Sequence, residues 1–537
     1  HPAFGEALLG RLLVAAWFRV GVVALPDWRT PQALTVMGRP RLFAGVTAGA
    51  LDSMVAHYTA FRRPRRDDPY AHGGEMGRRP NRAALVYANL CRQAFAGLPV
   101  VLGGVEASMR RAVHYDFWTD KMRRPLGLDA KADLLIYGMA ERPLLELARQ
   151  LEAAVGHGGA PPLSQLRLPG TAAIFNGEPT PPEGAELELL PSLEEIQADP
   201  RRLMEATLAV ERQVHTGPTG PWLAQRCGNR GVLLAPPSSH LSSDELDALY
   251  ALPFSREAHP SYSKPIPALE MVRFSVTAHR GCGGGCTFCS LALHQGRLHR
   301  SRSSASILEE VRGLTRHPRF KGTVSDIGGP TANLWRTRCT LPEEKWPCAR
   351  PSCMAPKLCP HLDHAQGAYL DLLEEAAAVP GVKHLRVASG VRHDLSLAHP
   401  GFTRALVTRF TSGQLKVAPE HTEGSVLKLM RKPDRSSFES FMGQFKALSA
   451  KAGKEQYLVP YLLSGFPGCT DQDMERLARW FKQQGWRPRQ VQSFLPTPGT
   501  VATAMYAGEI DEKGRAIKVA RGDAARRRQH DLFGLGQ

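Results

Sequence analysis

No apolar run in this 537-residue chain reaches the roughly 18 residues that a membrane-spanning helix needs, so no such helix is expected. The opening HPAFGEALLG has no basic head followed by a long apolar run, which excludes a visible secretory signal. It also has no initiator Met, so the chain reads as processed or trimmed upstream. No repeat of 20–50 residues is evident, which excludes solenoids and propellers. Cysteine is scarce, 10 in all, too few for a disulfide scaffold. What is abundant is core-forming and basic: 43% hydrophobic residues, 22% charged, and a net charge of +17. Such a chain buries large cores, and its length predicts two to four domains. Its charge favours acidic partners such as RNA or phosphorylated ligands.

The cysteines are unevenly placed. Cys91, Cys227 and Cys469 stand alone and read as small buried residues. Cys282, Cys286 and Cys289 form one cluster, and Cys339, Cys348, Cys353 and Cys359 a second. Without a visible export signal, two clusters read as reduced metal or iron–sulfur ligands.

Alternating strand and helix signals run through residues 1–155. Helical spacing covers 5–17, 78–95 and the end of 132–154. Strand signals fall at 19–25, 41–49, 98–108 and the start of 132–154. This βα repetition predicts a parallel, Rossmann-like sheet with helices on both faces. RRPRRDD (63–69) reads as an exposed basic loop. Residues 156–265 are rich in Pro, Gly and Glu and read as a connector, with a helix near 200–215 and a strand at 230–238. From 266 to 505 the alternation resumes. Strand candidates lie at 271–278, 321–329, 384–390, 414–420, 456–465 and 489–496, with helices between them. Six such units predict a partial (βα)6 barrel of the TIM type, interrupted by a Cys-rich insertion at 339–364. Residues 506–537 read as a basic, partly ordered extension.

The first cluster has the spacing Cys-x3-Cys-x2-Cys within RGCGGGCTFC (280–289). Three thiolates can hold three irons of a four-iron cluster, which leaves the fourth iron open to a ligand. The interleaved glycines let the backbone curl around a bulky inorganic core. The motif follows a predicted strand, so it belongs at the strand's carboxyl end, where ligands bind in such folds. A structural zinc needs a fourth ligand, for which His279 and His294 are the candidates.

This motif, with Phe288 just before the last Cys, resembles that of radical S-adenosylmethionine enzymes. The resemblance implies a [4Fe-4S] cluster on Cys282, Cys286 and Cys289, with S-adenosylmethionine on its open iron. Reductive cleavage would then give a 5′-deoxyadenosyl radical. It further implies that Phe288 packs near the adenine, and that Gly328 and Gly329 form the backbone edge receiving the methionine amino group. Ser389, Arg392 and Glu420 fall where ribose or methionine is contacted, and Leu463 with LPTPGT (495–500) on the adenine side. TPGT, MYAG and VLKLMRK (426–432) are similar to the barrel half of methylthiotransferase-like enzymes. GVEASMRRAVHYDFWTDKMRR (104–124), DAKADLLIYGMAER (129–142), IGGPTANLW (327–335) and VAPEHTEGSVLKLMRKP (417–433) resemble the YgiQ-like radical S-adenosylmethionine proteins, over nearly the whole chain.

The second cluster has gaps of 8, 4 and 5 residues in a Pro-rich stretch, with His361 and His364 just beyond. Zinc, an auxiliary iron–sulfur cluster and free thiols all remain open for it, and a metal would supply the loop's folding energy. The first domain resembles cobalamin-binding domains, because its strands end in glycine. The Asp-x-His-x-x-Gly ligand motif is absent, however, which disfavours cobalamin and favours a scaffold role. Glu106, Asp116, Trp118, Asp120 and Lys121 form a dense group read as a domain-interface site. His393, His421, Tyr461 and Ser464 lie near strand ends and are candidates for the substrate side. Expected partners are an electron donor of flavodoxin or ferredoxin type and, from the charge, an RNA substrate, although the tail carries no recognised RNA-binding module. The location expected is cytoplasmic. The competing readings are a metal-stabilised scaffold and an RNA-binding module stapled by metal.

Overall fold

Short, wholly apolar strands set the first half of the molecule. The computed structural model describes residues 1–156, 162–486 and 491–533. Val100–Leu102 (β2) and Leu134–Ile136 (β3) are buried at every position, the pattern of central strands covered on both faces. Ala44–Val46 (β1) lies parallel to β2, and β2 parallel to β3. Beyond β3 the sheet continues with Thr171–Asn176 (β4), Leu187–Leu190 (β5), Trp222–Cys227 (β6) and Arg230–Leu234 (β7). The order of the seven strands is β1-β2-β3-β4-β7-β6-β5.

Two expectations change here. The sheet is mixed, because β4 runs antiparallel to both β3 and β7, and β7 antiparallel to β6. The stretch read as a connector supplies four of the seven strands. The cause is a hairpin: Gly228 and Asn229 join β6 to β7 with Cys227 opposite Arg230, and Gly228 takes a positive φ of 62°. The strand expected at 19–25 does not form. That segment has no pairing partner, and Val22 in it is exposed.

All six strand signals of the second half are realised: Ser275–Thr277 (β8), Thr323–Val324 (β9) continuing as Asp326–Gly328 (β10), His384–Leu385 (β11), Gln414–Glu420 (β12), Tyr457–Ser464 (β13) and Val491–Ser493 (β14). They pair in chain order and in parallel: β8 with β10, β9 with β11, β12 with β13, and β13 with β14. A parallel bridge from Val391 to Val417 joins the third unit to the fourth. Helices separate them, including Ser304–Thr315, Gln366–Ala377, Arg435–Lys451 and Asp471–Gln483. No helix among the described residues is long and apolar enough to cross a membrane.

One apolar core runs from Val46 in β1 through Val276 and Leu415 to Tyr506. The tail is more ordered than its composition suggested. Its helix Gly522–Asp531 buries Arg526 completely. Phe117, itself fully buried, lies between the guanidinium groups of Arg62 and Arg526, each 4.6 Å from its ring. Tyr115 and Phe117 also pack on Tyr506. Tyr115, Phe117 and Asp120 thus meet the carboxyl-terminal segment, whereas Glu106 is spent within the first half, accepting from Ser53 N, Ser53 Oγ and Ala84 N. In the basic loop, Asp68 is buried against Arg79 at 2.7 Å. Residues 487–490, the start of the last strand signal, and 534–537 of the tail lie outside the described residues.

Phe117→Ala opens a cavity and leaves the buried Arg526 and the half-buried Arg62 without their shared ring. A loss of about 3–5 kcal/mol is expected, read as a lower urea midpoint than that of the parent chain.

Candidate functional site

The first cysteine cluster sits on a loop tied at both ends. His279–Arg280 pairs antiparallel with Arg300–Ser301, and Cys282 N donates to Gly296 O at 3.1 Å. Inside the loop, Gly285 has a φ of 61°, and a Cβ there would overlap the Pro351 carbonyl oxygen, so only glycine fits. A methyl group built on Gly284 would lie 3.4 Å from Cys282 Sγ, 3.8 Å from Cys286 Sγ and 3.5 Å from Arg392 Nη1. Two sulfurs and a cation thus face one glycine-lined hollow. Cys289 faces it as well: burial, with Cys286 and Cys282 as neighbours, pushes its thiol up to about 12. Burial raises Cys282 too, with Arg392 and Lys432 opposing the shift.

Among the described residues, no three His, Cys, Asp or Glu side chains converge as ligands of one metal ion do. The three thiols lie close enough for their charges to act on one another, and as thiolates they would need a metal's positive charge to offset their repulsion. The donor set fits an iron–sulfur cluster. Of the two histidines open to the zinc alternative, His294 is already hydrogen-bonded, whereas His279 keeps both ring nitrogens without a partner. His294 Nδ1 lies 3.1 Å from Ser108 Oγ, and the His279 ring lies against Gly329, where any Cβ would meet it at 2.7 Å.

Arg431 holds this loop from outside. Its guanidinium donates to Gly285 O at 3.2 Å, to Glu211 at 2.7 and 3.0 Å, and to Glu512 at 3.0 and 2.7 Å. Thr287 donates to Met430 O and Leu429 O, and its own carbonyl accepts from Ala502 N. The cluster loop is therefore bolted to the helix Arg202–Thr216 of the first half, to the VLKLMRK segment, and to the carboxyl-terminal helices.

Several residues implied for S-adenosylmethionine come together nearby. A Cβ on Gly328 would fall 2.5 Å from Ser389 Oγ and 3.1 Å from Asp326 Oδ2. Asp326, buried so that its pKa rises, accepts from Ala388 N at 2.7 Å and Ser389 N at 3.2 Å. Arg392 is held by Asp394 through Nε at 3.0 Å and Nη2 at 2.5 Å, while Asn333 brackets its backbone. Glu420 takes a positive φ of 67° at a register shift in β12, an energetically costly conformation typical of functional positions. Burial raises its pKa, against the pull of Lys432 at 4.0 Å. Phe288 packs edge-on to Phe466 at 6.3 Å, and Leu463 is buried in β13.

The substrate-side candidates fare differently. His393 Nε2 is 3.1 Å from Ser437 Oγ, with its ring against Phe438. His421 accepts from Glu423 N and approaches Cys469 Sγ at 3.5 Å. Burial lowers both histidines to about 4. Ser464 Oγ pairs with His530 Nδ1 at 3.2 Å. These three are spent on packing; Tyr461 is half-buried in β13. Asp326, Asp394, Lys432 and Arg431 were not singled out from sequence. The signals available were the acid two residues before Gly328-Gly329, the acid two residues after Arg392, and the adjacent Arg-Lys pair.

Two spaces adjoin the loop. A hollow of about 340 Å³ lies against Cys286 and Cys289, lined also by Glu211 and Arg297. An open cleft of about 720 Å³ separates the ends of β3 and β7 from the loop, lined by Tyr137, Gly138, Ser238, His240, Arg280 and His294.

A mixed sheet, then a row of parallel strands in chain order whose first loop carries three facing cysteines, defines a protein of the radical S-adenosylmethionine class. The family model described as "Radical SAM N-terminal" matches residues 1–275. The chain belongs to the UPF0313 family, the YgiQ-like radical S-adenosylmethionine proteins. A UPF0313 protein of Geobacter sulfurreducens is 47% identical over 534 residues, covering 99% of this chain and 87% of the relative. UPF0313 protein YgiQ of Escherichia coli (strain K12) is 39% identical over 588 residues, covering 98% and 79%. Among solved structures, the radical S-adenosylmethionine methyltransferase TsrM from Kitasatospora setae, with cobalamin and a [4Fe-4S] cluster bound, shares the fold. Its TM-score is 0.51 at 15% identity, over 98% of this chain and 81% of that one.

Arg431→Ala removes the cation from two carboxylates and one carbonyl. Stability should fall by about 3 kcal/mol, and exchange of the Thr287 amide should accelerate. Arg431→Lys should restore the charge but not the two-sided fork, and recover only part of both.

Proposed function

We propose that this chain is an enzyme that holds a [4Fe-4S] cluster on Cys282, Cys286 and Cys289 and uses its open iron to bind S-adenosylmethionine. The observation that carries the reading is the hollow at Gly284, faced by Cys282, Cys286 and Arg392. When bound and reduced, the cluster supplies the electron that cleaves the sulfonium and generates the 5′-deoxyadenosyl radical that abstracts a substrate hydrogen.

The chain's own residues then do four things. Arg392, fixed by Asp394, and Lys432 oppose the negative charge of the thiolates. The edge made by Gly328, Gly329, Asp326 and Ser389 offers backbone and carboxylate acceptors to the methionine ammonium. Glu420 and Lys432 present a buried acid and base on the same side. Phe288, Phe466 and Leu463 give the adenine an apolar wall and exclude water. The six parallel strands are read as a partial barrel whose mouth carries this site.

The open cleft at the ends of β3 and β7 is the substrate's approach in this reading. Without the Asp-x-His-x-x-Gly motif, the first half serves as platform rather than as a cobalamin carrier with a lower histidine ligand. The net charge of +17 makes an RNA base the first substrate class to test. A flavodoxin- or ferredoxin-type carrier supplies the electron.

The test uses anaerobically reconstituted protein beside its Cys282→Ala/Cys286→Ala/Cys289→Ala variant. The variant should lose about four irons per chain, and 5′-deoxyadenosine formation should fall to background. Unchanged iron in the variant, or a parent that cleaves no S-adenosylmethionine after reduction, would leave the scaffold reading as the better one.

A further inference from the structure

The second cysteine group is packed onto the first. Arg338–Cys339 pairs antiparallel with Leu362–Asp363, placing Cys339 opposite Leu362. Leu362 N donates to Cys359 O at 3.0 Å, and Cys359 N donates to Cys353 O at 2.8 Å. The backbone itself therefore gathers Cys339, Cys353 and Cys359, close enough that the charges of Cys359 and Cys339 act on Cys353. Cys348 lies in the same loop, its sulfur accepting from Arg350 N at 3.4 Å. So three of the four cysteines are brought together.

This group forms one wall of the first site. Cys353 N donates to Gly283 O at 2.9 Å, and Ser352 Oγ donates to Gly284 O at 2.6 Å. A Cβ on Gly283 would stand 3.2 Å from Cys353 Sγ. Cys282, Cys353 and Cys359 share one small apolar core with Leu334, Met354, Leu362 and Leu395.

A second observation is independent of the cysteines. Arg297 is only 8% exposed, yet among the described residues it makes no salt bridge to a carboxylate, and its Nε has no partner. Its Nη2 points at Cys353 Sγ, 3.6 Å away, and its Nη1 donates to Arg350 O and lies 3.2 Å from His215 Nε2. With Glu211 acting on it only from beyond salt-bridge distance, this buried guanidinium is stabilised by negative charge on the Cys353 sulfur that it faces. A neutral thiol does not provide it; a thiolate-bound metal centre does. All-sulfur donors select zinc, copper(I) or iron–sulfur clusters, and the adjoining first site is itself read as a cluster site.

We propose that Cys339, Cys353 and Cys359 ligate a second iron–sulfur cluster, with Arg297 donating a hydrogen bond to the Cys353 sulfur, and that this cluster holds the Gly283–Gly285 wall of the first site in place. The proposal rests on the reading that the first site also holds a cluster, and the test separates the two.

Full-length protein is reconstituted anaerobically with iron and sulfide. Iron, sulfide and zinc are counted in the parent, in Cys339→Ala/Cys353→Ala/Cys359→Ala, and in the triple alanine variant of the first site. About eight irons are expected in the parent and about four in each variant. If the second-site variant does not fold, the parent decides the matter alone. Electron paramagnetic resonance of the reduced parent should show two cluster signals, only one of which shifts when S-adenosylmethionine is added. About four irons in the parent, zinc in place of the second set, or a single signal that responds entirely to S-adenosylmethionine would overturn the second cluster while leaving the first intact. A first-site variant that keeps all the parent's iron would instead overturn the reading on which this one rests.

Discussion

The contact from Arg431 to the carbonyl of Gly285 is the constraint on which the rest of the site depends. The cysteine loop is short, glycine-rich and nearly without apolar side chains, so it has little of its own to hold it. Burial drives the Cys282 and Cys289 thiols toward the neutral form. Order has to come from outside, and Arg431 provides it by joining Glu211 of the first half, Glu512 of the tail and the loop in one fork. Arg431 occupies the left-handed region to do so, with a φ of 54°, at a cost of about 1–2 kcal/mol that only well-made partners offset. The two halves of the chain are joined at the reacting centre as well as along their common core.

Charge is arranged around the hollow with similar economy. Each cation that faces it has an acid to fix its direction: Asp394 for Arg392 and Glu420 for Lys432. Arg297 stands apart because its neighbour is sulfur. Asp326 works differently, binding two backbone amides beyond β11 and so setting how closely Ser389 approaches Gly328. Small residues at Gly285 and Gly328 are required by what lies against them, a carbonyl oxygen and a hydroxyl.

Much of this was legible in the residues. The Cys-x3-Cys-x2-Cys spacing marks its loop because the chemistry needs those atoms close in sequence, and the six later strands announce themselves as apolar runs ending in small residues. The first sheet was half legible. Wholly buried strands such as Val100–Leu102 stand out, whereas the Gly228-Asn229 turn, two residues between two strand-like runs, was passed over inside a Pro- and Gly-rich stretch. Residues whose role is to meet partners far along the chain left no local signal. Arg431 reaches Glu211, and Arg297 reaches Cys353, across sequence distances that no spacing rule covers. His393, His421 and Ser464 show the converse. Position near a strand's end does not fix side-chain direction, and these three side chains meet partners from other segments: Ser437 for His393, Cys469 for His421 and His530 for Ser464.

The seat of Arg526 has a consequence for how the molecule is made. Phe117 emerges early during synthesis with one face of its ring bare, because the guanidinium that covers that face belongs to the tail. At about 5–20 residues per second, the intervening chain takes tens of seconds to appear. Through that interval the first sheet exists with an aromatic surface open to water and to other nascent chains. The last described helix acts as a latch that closes only once Arg526 has been made.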